Sequence, residues 1–158
     1  MEGHRVSAEE DHIPVPWHLW VVGTLALLFT MMGAYDYVMS QTGDRAYMEA
    51  MVKPMGLDID VAVAYFSGFP FWADAVWAIG VWGGVAGAVL LLLRRAVAYP
   101  MLLLSLAGLV LSNAYAVANP VPGMTDSVAT YATVAIVFAL MLGLALYARS
   151  MRRLGVLR

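Results

Sequence analysis

The chain contains no cysteine. That excludes disulfides, thiolate nucleophiles, dithiol exchange and Cys-ligated zinc or iron–sulfur centres. Charge is scarce, at 13% of residues, against about 25% in a soluble domain. An excess of positive charge is also missing. The net charge of −2 argues against nucleic acid, which requires a basic patch. No nucleophile–base set, metal motif or phosphate loop can be picked out, so neither an enzyme nor a resident cofactor is expected. The spans offer only His18, which rules out bis-His haem within one chain. Hydrophobic residues, by contrast, make up 62% of the 158. The composition is that of a one-domain integral membrane protein whose first partner is the lipid bilayer.

Four apolar runs cover about 17–40, 70–93, 97–118 and 127–148. Each is long enough to cross a hydrocarbon core of about 30 Å at about 1.5 Å per residue. The expected fold is an all-α, four-helix transmembrane bundle spanning 17–148, between a polar tail (1–16) and a basic tail (149–158). The first run could pass for a signal peptide, but the region before it is acidic and no small-residue cleavage site follows, so it reads as an uncleaved span. His4 and His12 read as solvated tail residues. His18, beside Trp17 and Trp20, reads as an interfacial anchor.

The long loop 41–69 is expected to carry short amphipathic helices. Tyr47, Met48, Met51, Val52 and Met55 share one face, and Asp58 and Asp60 can start a second piece, for which a plain loop is the alternative. Thr125 or Asp126 can cap the fourth span. Gly80, Gly83, Gly84 and Gly87 recur at helical spacing in the second span and predict close helix packing, within the bundle or against another protomer. Orientation follows from Lys and Arg. Placing both termini and the Arg94–Arg95 turn in the cytoplasm puts seven basic residues inside and two outside. Arg149, Arg152 and Arg153 fall inside with them, where they fix topology and meet anionic lipid.

Two carboxylates lie within the spans. Asp36 is four residues before Ser40 and Asp74 four after Pro70, so both sit about 6 Å from the outer end at about 1.5 Å per residue. Asn113 approaches the same layer, among Tyr35, Tyr37, Trp77 and Tyr115. Ionisable groups inside a membrane mark a functional site by default. Two close carboxylates without a basic residue invite a proton, metal ion or organic cation, and the aromatic rings suit the last. The alternative is an interfacial belt in which Asp74 serves only the helix N-terminus.

The segments PVPWHLW, MGAYDYVMSQT, AYFSGFPFW and WAIGVWGGVAGAVLLLLRR together resemble a group of small four-span bacterial inner-membrane proteins labelled "sugar transporter". The resemblance covers most of the chain and implies that fold, a multi-pass place in the bacterial inner membrane and membership of the group. Asp36 matches its pattern, whereas Asp74 stands where an apolar residue is expected. Two functions follow as expectations. One is a transporter or small-ligand-binding protein acting as an oligomer through the glycine face. The other is a non-catalytic accessory subunit of a larger membrane complex, docked by that face.

Overall fold

A backbone in hydrocarbon must satisfy its amides and carbonyls within the segment, so apolar runs of this length become helices. A computed structural model describes residues 14–124 and 128–158. His4, His12 and the cap expected at Thr125 or Asp126 lie outside the described residues. The described elements are all helical: α1 (His18–Thr42), α2 (Arg45–Val52), α3 (Ile59–Ser67), α4 (Phe71–Leu92), α5 (Ala98–Ala118) and α6 (Val128–Arg153), with a single 3-10 turn at Lys53–Met55. Four of them, α1, α4, α5 and α6, are long and apolar enough to cross a membrane. The protein is therefore a multi-pass membrane protein with a four-span bundle, and its exposed leucines, among them Leu25, Leu28, Leu104 and Leu146, are the surface that lipid covers.

Local chemistry sets the boundaries. α1 runs two residues past the expected end and stops where Gly43 turns left-handed (φ 64°). Only glycine adopts that conformation without a steric cost. The Asp44 carboxylate then accepts the Tyr47 amide at 2.8 Å and starts α2. Asp58 accepts the Asp60 amide at 2.7 Å and starts α3. The second piece of the loop is thus a helix rather than a plain connection. α2 and α3 form a cap over one end of the bundle, with a small core of Met48, Val52 and Ala62. An ion pair, Arg45–Asp60 at 2.7 Å, and a hydrogen bond from the Tyr65 hydroxyl to the Asn119 carbonyl at 2.8 Å hold the cap in place.

The opposite end carries the arginines. α6 continues to Arg153 rather than ending near 148, so Arg149, Arg152 and Arg153 are helical. The last residues fold back through Gly155. Arg158 donates to the Arg94 carbonyl and accepts from the Ala96 amide, both at 2.8 Å. Val156 and Leu157 are buried there. The segment expected as a tail is therefore sealed against the α4–α5 turn.

Between the two ends, α4 packs on α1 and α5, and α5 packs on α6. The glycines of α4 are consumed in this packing. A Cβ on Gly87 would stand 2.6 Å from a Leu102 side-chain atom, one on Gly80 3.1 Å from the Leu109 amide nitrogen, and one on Gly83 3.3 Å from the Ser105 Cβ. α5 answers with its own glycine, since a Cβ on Gly108 would lie 2.6 Å from the Gly80 nitrogen. This corrects the surface expected for an oligomer or complex: the glycine face meets α5 of the same chain and is not free for another protomer or a larger complex.

α6 packs along only half its length. Its buried residues are Met141, Leu144, Ala145, Ala148 and Met151, all toward the arginine end. At that end His18 Nδ1 and the Tyr147 hydroxyl share a 2.6 Å hydrogen bond that joins α1 to α6. Nearer the cap the described residues of α6 are unburied.

Replacing Gly108 by Ala should push α4 and α5 apart and cost about 1–3 kcal/mol, lowering the unfolding temperature in detergent. Gly33→Ala should leave that temperature unchanged, because nothing lies within 4 Å of a Cβ there. Equal melting of Gly108→Ala and wild type would contradict the close crossing.

Candidate ligand-binding site

Because α4 and α5 meet backbone to backbone while the buried residues of α6 gather toward the arginine end, space is left between them toward the cap. That space is a cavity of about 510 Å³, walled by α1, α4, α5 and α6 and reached by Tyr47 of α2. Ligand pockets run from about 300 to 1,000 Å³, so the cavity is large enough for a small organic molecule. Glycines 80 and 84 form part of its floor, and Phe29, Met32, Val81 and Met141 make most of the wall apolar.

Polar groups enter at defined points. Asp36 is partly buried, and its Oδ1 accepts a 2.8 Å hydrogen bond from the Tyr47 hydroxyl. Tyr47 in turn lies edge-on to Tyr35, with ring centroids 5.5 Å apart. On α5, the Asn113 amide and the Ser112 hydroxyl both donate to the Leu109 carbonyl, at 2.8 Å and 3.1 Å. Ser105 donates to the Gly80 carbonyl across the α4–α5 contact. Thr30 donates to the Ala26 carbonyl at 2.9 Å on its own helix.

The structure divides the residues expected to form a site. Asp36, Tyr35, Trp77 and Asn113 line the cavity together. Asp74, Tyr37 and Tyr115 do not. Asp74 accepts instead from the Gln41 side chain, tying the end of α1 to the start of α4. The expected pairing of Asp36 with Asp74 gives way to two carboxylates with separate partners. Tyr37 packs edge-on to Trp77 at 4.8 Å, and Tyr115 packs against Phe69 and Trp72, each at 5.2 Å. These are supports behind the wall. Among the described residues no three His, Asp or Glu side chains gather as metal ligands would.

A second cavity of about 280 Å³ lies beneath α2 and α3, and Trp77, Ser112 and Asn113 line both spaces. Trp77 is therefore the partition, stacked at 5.8 Å on Phe66 of the cap. Sequence reasoning placed Tyr47 only on the apolar face of an amphipathic segment and missed its hydroxyl at Asp36. It also passed over Thr30, Ser105, Gly108 and Ser112. The small residues 105, 108 and 112 fall at i, i+3 and i+7, the same signal that marked α4.

Burial, then the hydrogen bond to Asp36 and the carboxylate charge, push the Tyr47 phenol up to about 12. Burial, and secondarily Tyr115, also raises Tyr65. No family model, curated protein or solved structure matches this chain.

The raised phenol makes a signed prediction. Unfolded tyrosine ionises near a pKa of about 10, so the stability that neutral Tyr47 supplies is complete below that pH. It is lost as pH rises toward about 12, because the unfolded state releases its proton first. Tyr47→Phe should therefore remove a late step from the spectrophotometric alkaline titration and flatten the alkaline loss of stability. A titration differing from wild type only by an ordinary step near pH 10 would contradict a phenol locked on Asp36.

Proposed function

We propose that this is a small-ligand-binding membrane protein of transporter type, which holds its ligand in the cavity beside Asp36. The observation that carries the reading is the combination of a cavity of about 510 Å³ with a carboxylate at its edge bonded to Tyr47 of the cap rather than to a cation. Structural carboxylates in a membrane are matched by a fixed partner, whereas one held by a phenol from a separate short helix can exchange that partner for a ligand. The resemblance to small proteins labelled as sugar transporters supports transport. It also supports a place in the bacterial inner membrane.

The function is binding and translocation rather than catalysis. The hydroxyls of Thr30, Ser105 and Ser112 are spent on backbone carbonyls, and the hydroxyl that meets a carboxylate, Tyr47 on Asp36, is a phenol whose pKa is raised. The accessory-subunit alternative drew on the glycine face as a docking surface, and α5 occupies that face. In the membrane, the arginine end faces the cytoplasm with both termini, and the α2–α3 cap faces outward, as the distribution of basic residues directs.

Two measurements test this. The chain has no native cysteine, so single cysteines report cleanly on sidedness. An impermeant thiol reagent on intact cells should label Ser67→Cys on the cap and spare Ser150→Cys. The reverse pattern would overturn the orientation. Native mass spectrometry from mild detergent should show a co-purified small molecule on the wild-type protein that is lost from Gly33→Phe, whose ring would fill the cavity. Retention of the same adduct by that variant would place the ligand elsewhere.

A further inference from the structure

The cavity wall restricts which ligand it can hold, and this inference rests on the cavity being the binding site. Most of its polar hydrogens are directed elsewhere, which leaves the Tyr35 hydroxyl, the Trp77 indole N–H and the second Asn113 amide hydrogen as donors. Thr30 donates to Ala26, Ser105 to Gly80, and Ser112 and Asn113 to Leu109. Tyr47 gives its proton to Asp36. These groups have lone pairs left to offer: hydroxyl oxygens, the Asn113 amide oxygen and the Asp36 carboxylate. Among the described residues no Lys, Arg or His lines the space.

A wall with a carboxylate and more acceptors than donors suits a neutral sugar less well than a cation. It does not suit an anion. It matches a cationic donor, because a charge-assisted hydrogen bond to a carboxylate is about twice as strong as a neutral one. Tyr35, Tyr47 and Trp77 beside the carboxylate add ring faces that favour a cation. The remaining surface is apolar and calls for an apolar body.

The route is also legible. α1 and α6 share no extended contact and are pinned at the arginine end by His18 and Tyr147. Near the cap, Met32 and Tyr35 on the α1 side are 68% and 55% exposed, and α6 is unburied there. The geometry points to a primary or secondary organic ammonium with a compact apolar body as the ligand. It seats its nitrogen at Asp36 and enters from the lipid through the seam between α1 and α6. The ammonium of phosphatidylethanolamine shares this chemistry, but its phosphate would find no basic residue on the wall, so the free amine is the ligand.

The test is calorimetric titration of the full chain in phosphatidylcholine nanodiscs, with empty nanodiscs subtracted. The probes are adamantylammonium, the neutral adamantanol of the same shape, and glucose. Adamantylammonium should bind at least about tenfold more tightly than adamantanol, and Asp36→Asn should remove that advantage. Gly33→Phe should abolish binding, and it is expected to fold because its side chain starts into open space. If adamantanol or glucose binds as well as adamantylammonium, and Gly33→Phe blocks it, the ammonium class is overturned while the cavity stands. If no probe's binding depends on Gly33→Phe, the cavity reading falls with it. Adding phosphatidylethanolamine to the nanodiscs should leave the affinity unchanged. Competition by that lipid would uphold the ammonium chemistry and overturn the free amine as its source.

Discussion

The backbone contact between α4 and α5 is the constraint on which the rest of the bundle depends. Water cannot drive helices together within a bilayer, so association there rests on close van der Waals fit and interhelical hydrogen bonds. Gly80 against Gly108 supplies the first, and the Ser105 hydroxyl on the Gly80 carbonyl supplies the second. With these two helices so close, the side chains of α1 and α6 cannot fill the whole groove they leave. Gly84 is the point where this shows: a Cβ there would meet Ser105, Thr30 and Met141 from three different helices. Just toward the cap from that point, the packing opens into the cavity.

The two ends of the molecule are closed by different means. At the arginine end the closure is made of backbone pairing, buried Val156 and Leu157, and the His18–Tyr147 bond. At the other end it is made of two short helices around a small core of Met48, Val52 and Ala62, joined by an exposed ion pair, hydroxyl contacts and the Phe66–Trp77 stack. Exposed ion pairs contribute little to stability, and short helices depend on what they pack against. Tyr47 connects the position of the cap to the partner of Asp36. Coupling between cap and cavity also runs through Trp77, whose ring borders both spaces and stacks on Phe66.

Much of the fold could be read from the chain because a membrane reduces it to a few rules. Apolar length gave the spans, Asp58 offered a start for the second cap helix, and the glycines of α4 marked the tight contact. What those glycines touch was not legible, since a bare helix face accepts a helix of the same chain as readily as one from a neighbour. The matching small residues of α5 decide it, and they are visible only once the two helices are placed together. In the site, Asp36 stood out as a charge in an apolar run. Asp74 stood out equally, because depth along a helix can be counted from sequence but rotation relative to a neighbour cannot. The role of Tyr47 depends on how the loop folds back over α1, which no local pattern encodes.

The ligand proposed for the space left by the α4–α5 contact is held through Asp36. Anomalous diffraction from crystals grown with a bromine-bearing adamantylammonium tests it most directly. The account predicts a bromine peak inside the cavity between α1 and α6, with the nitrogen within hydrogen-bond reach of Asp36. A peak confined to the lipid-facing surface, or to the smaller space beneath α2 and α3, would contradict it.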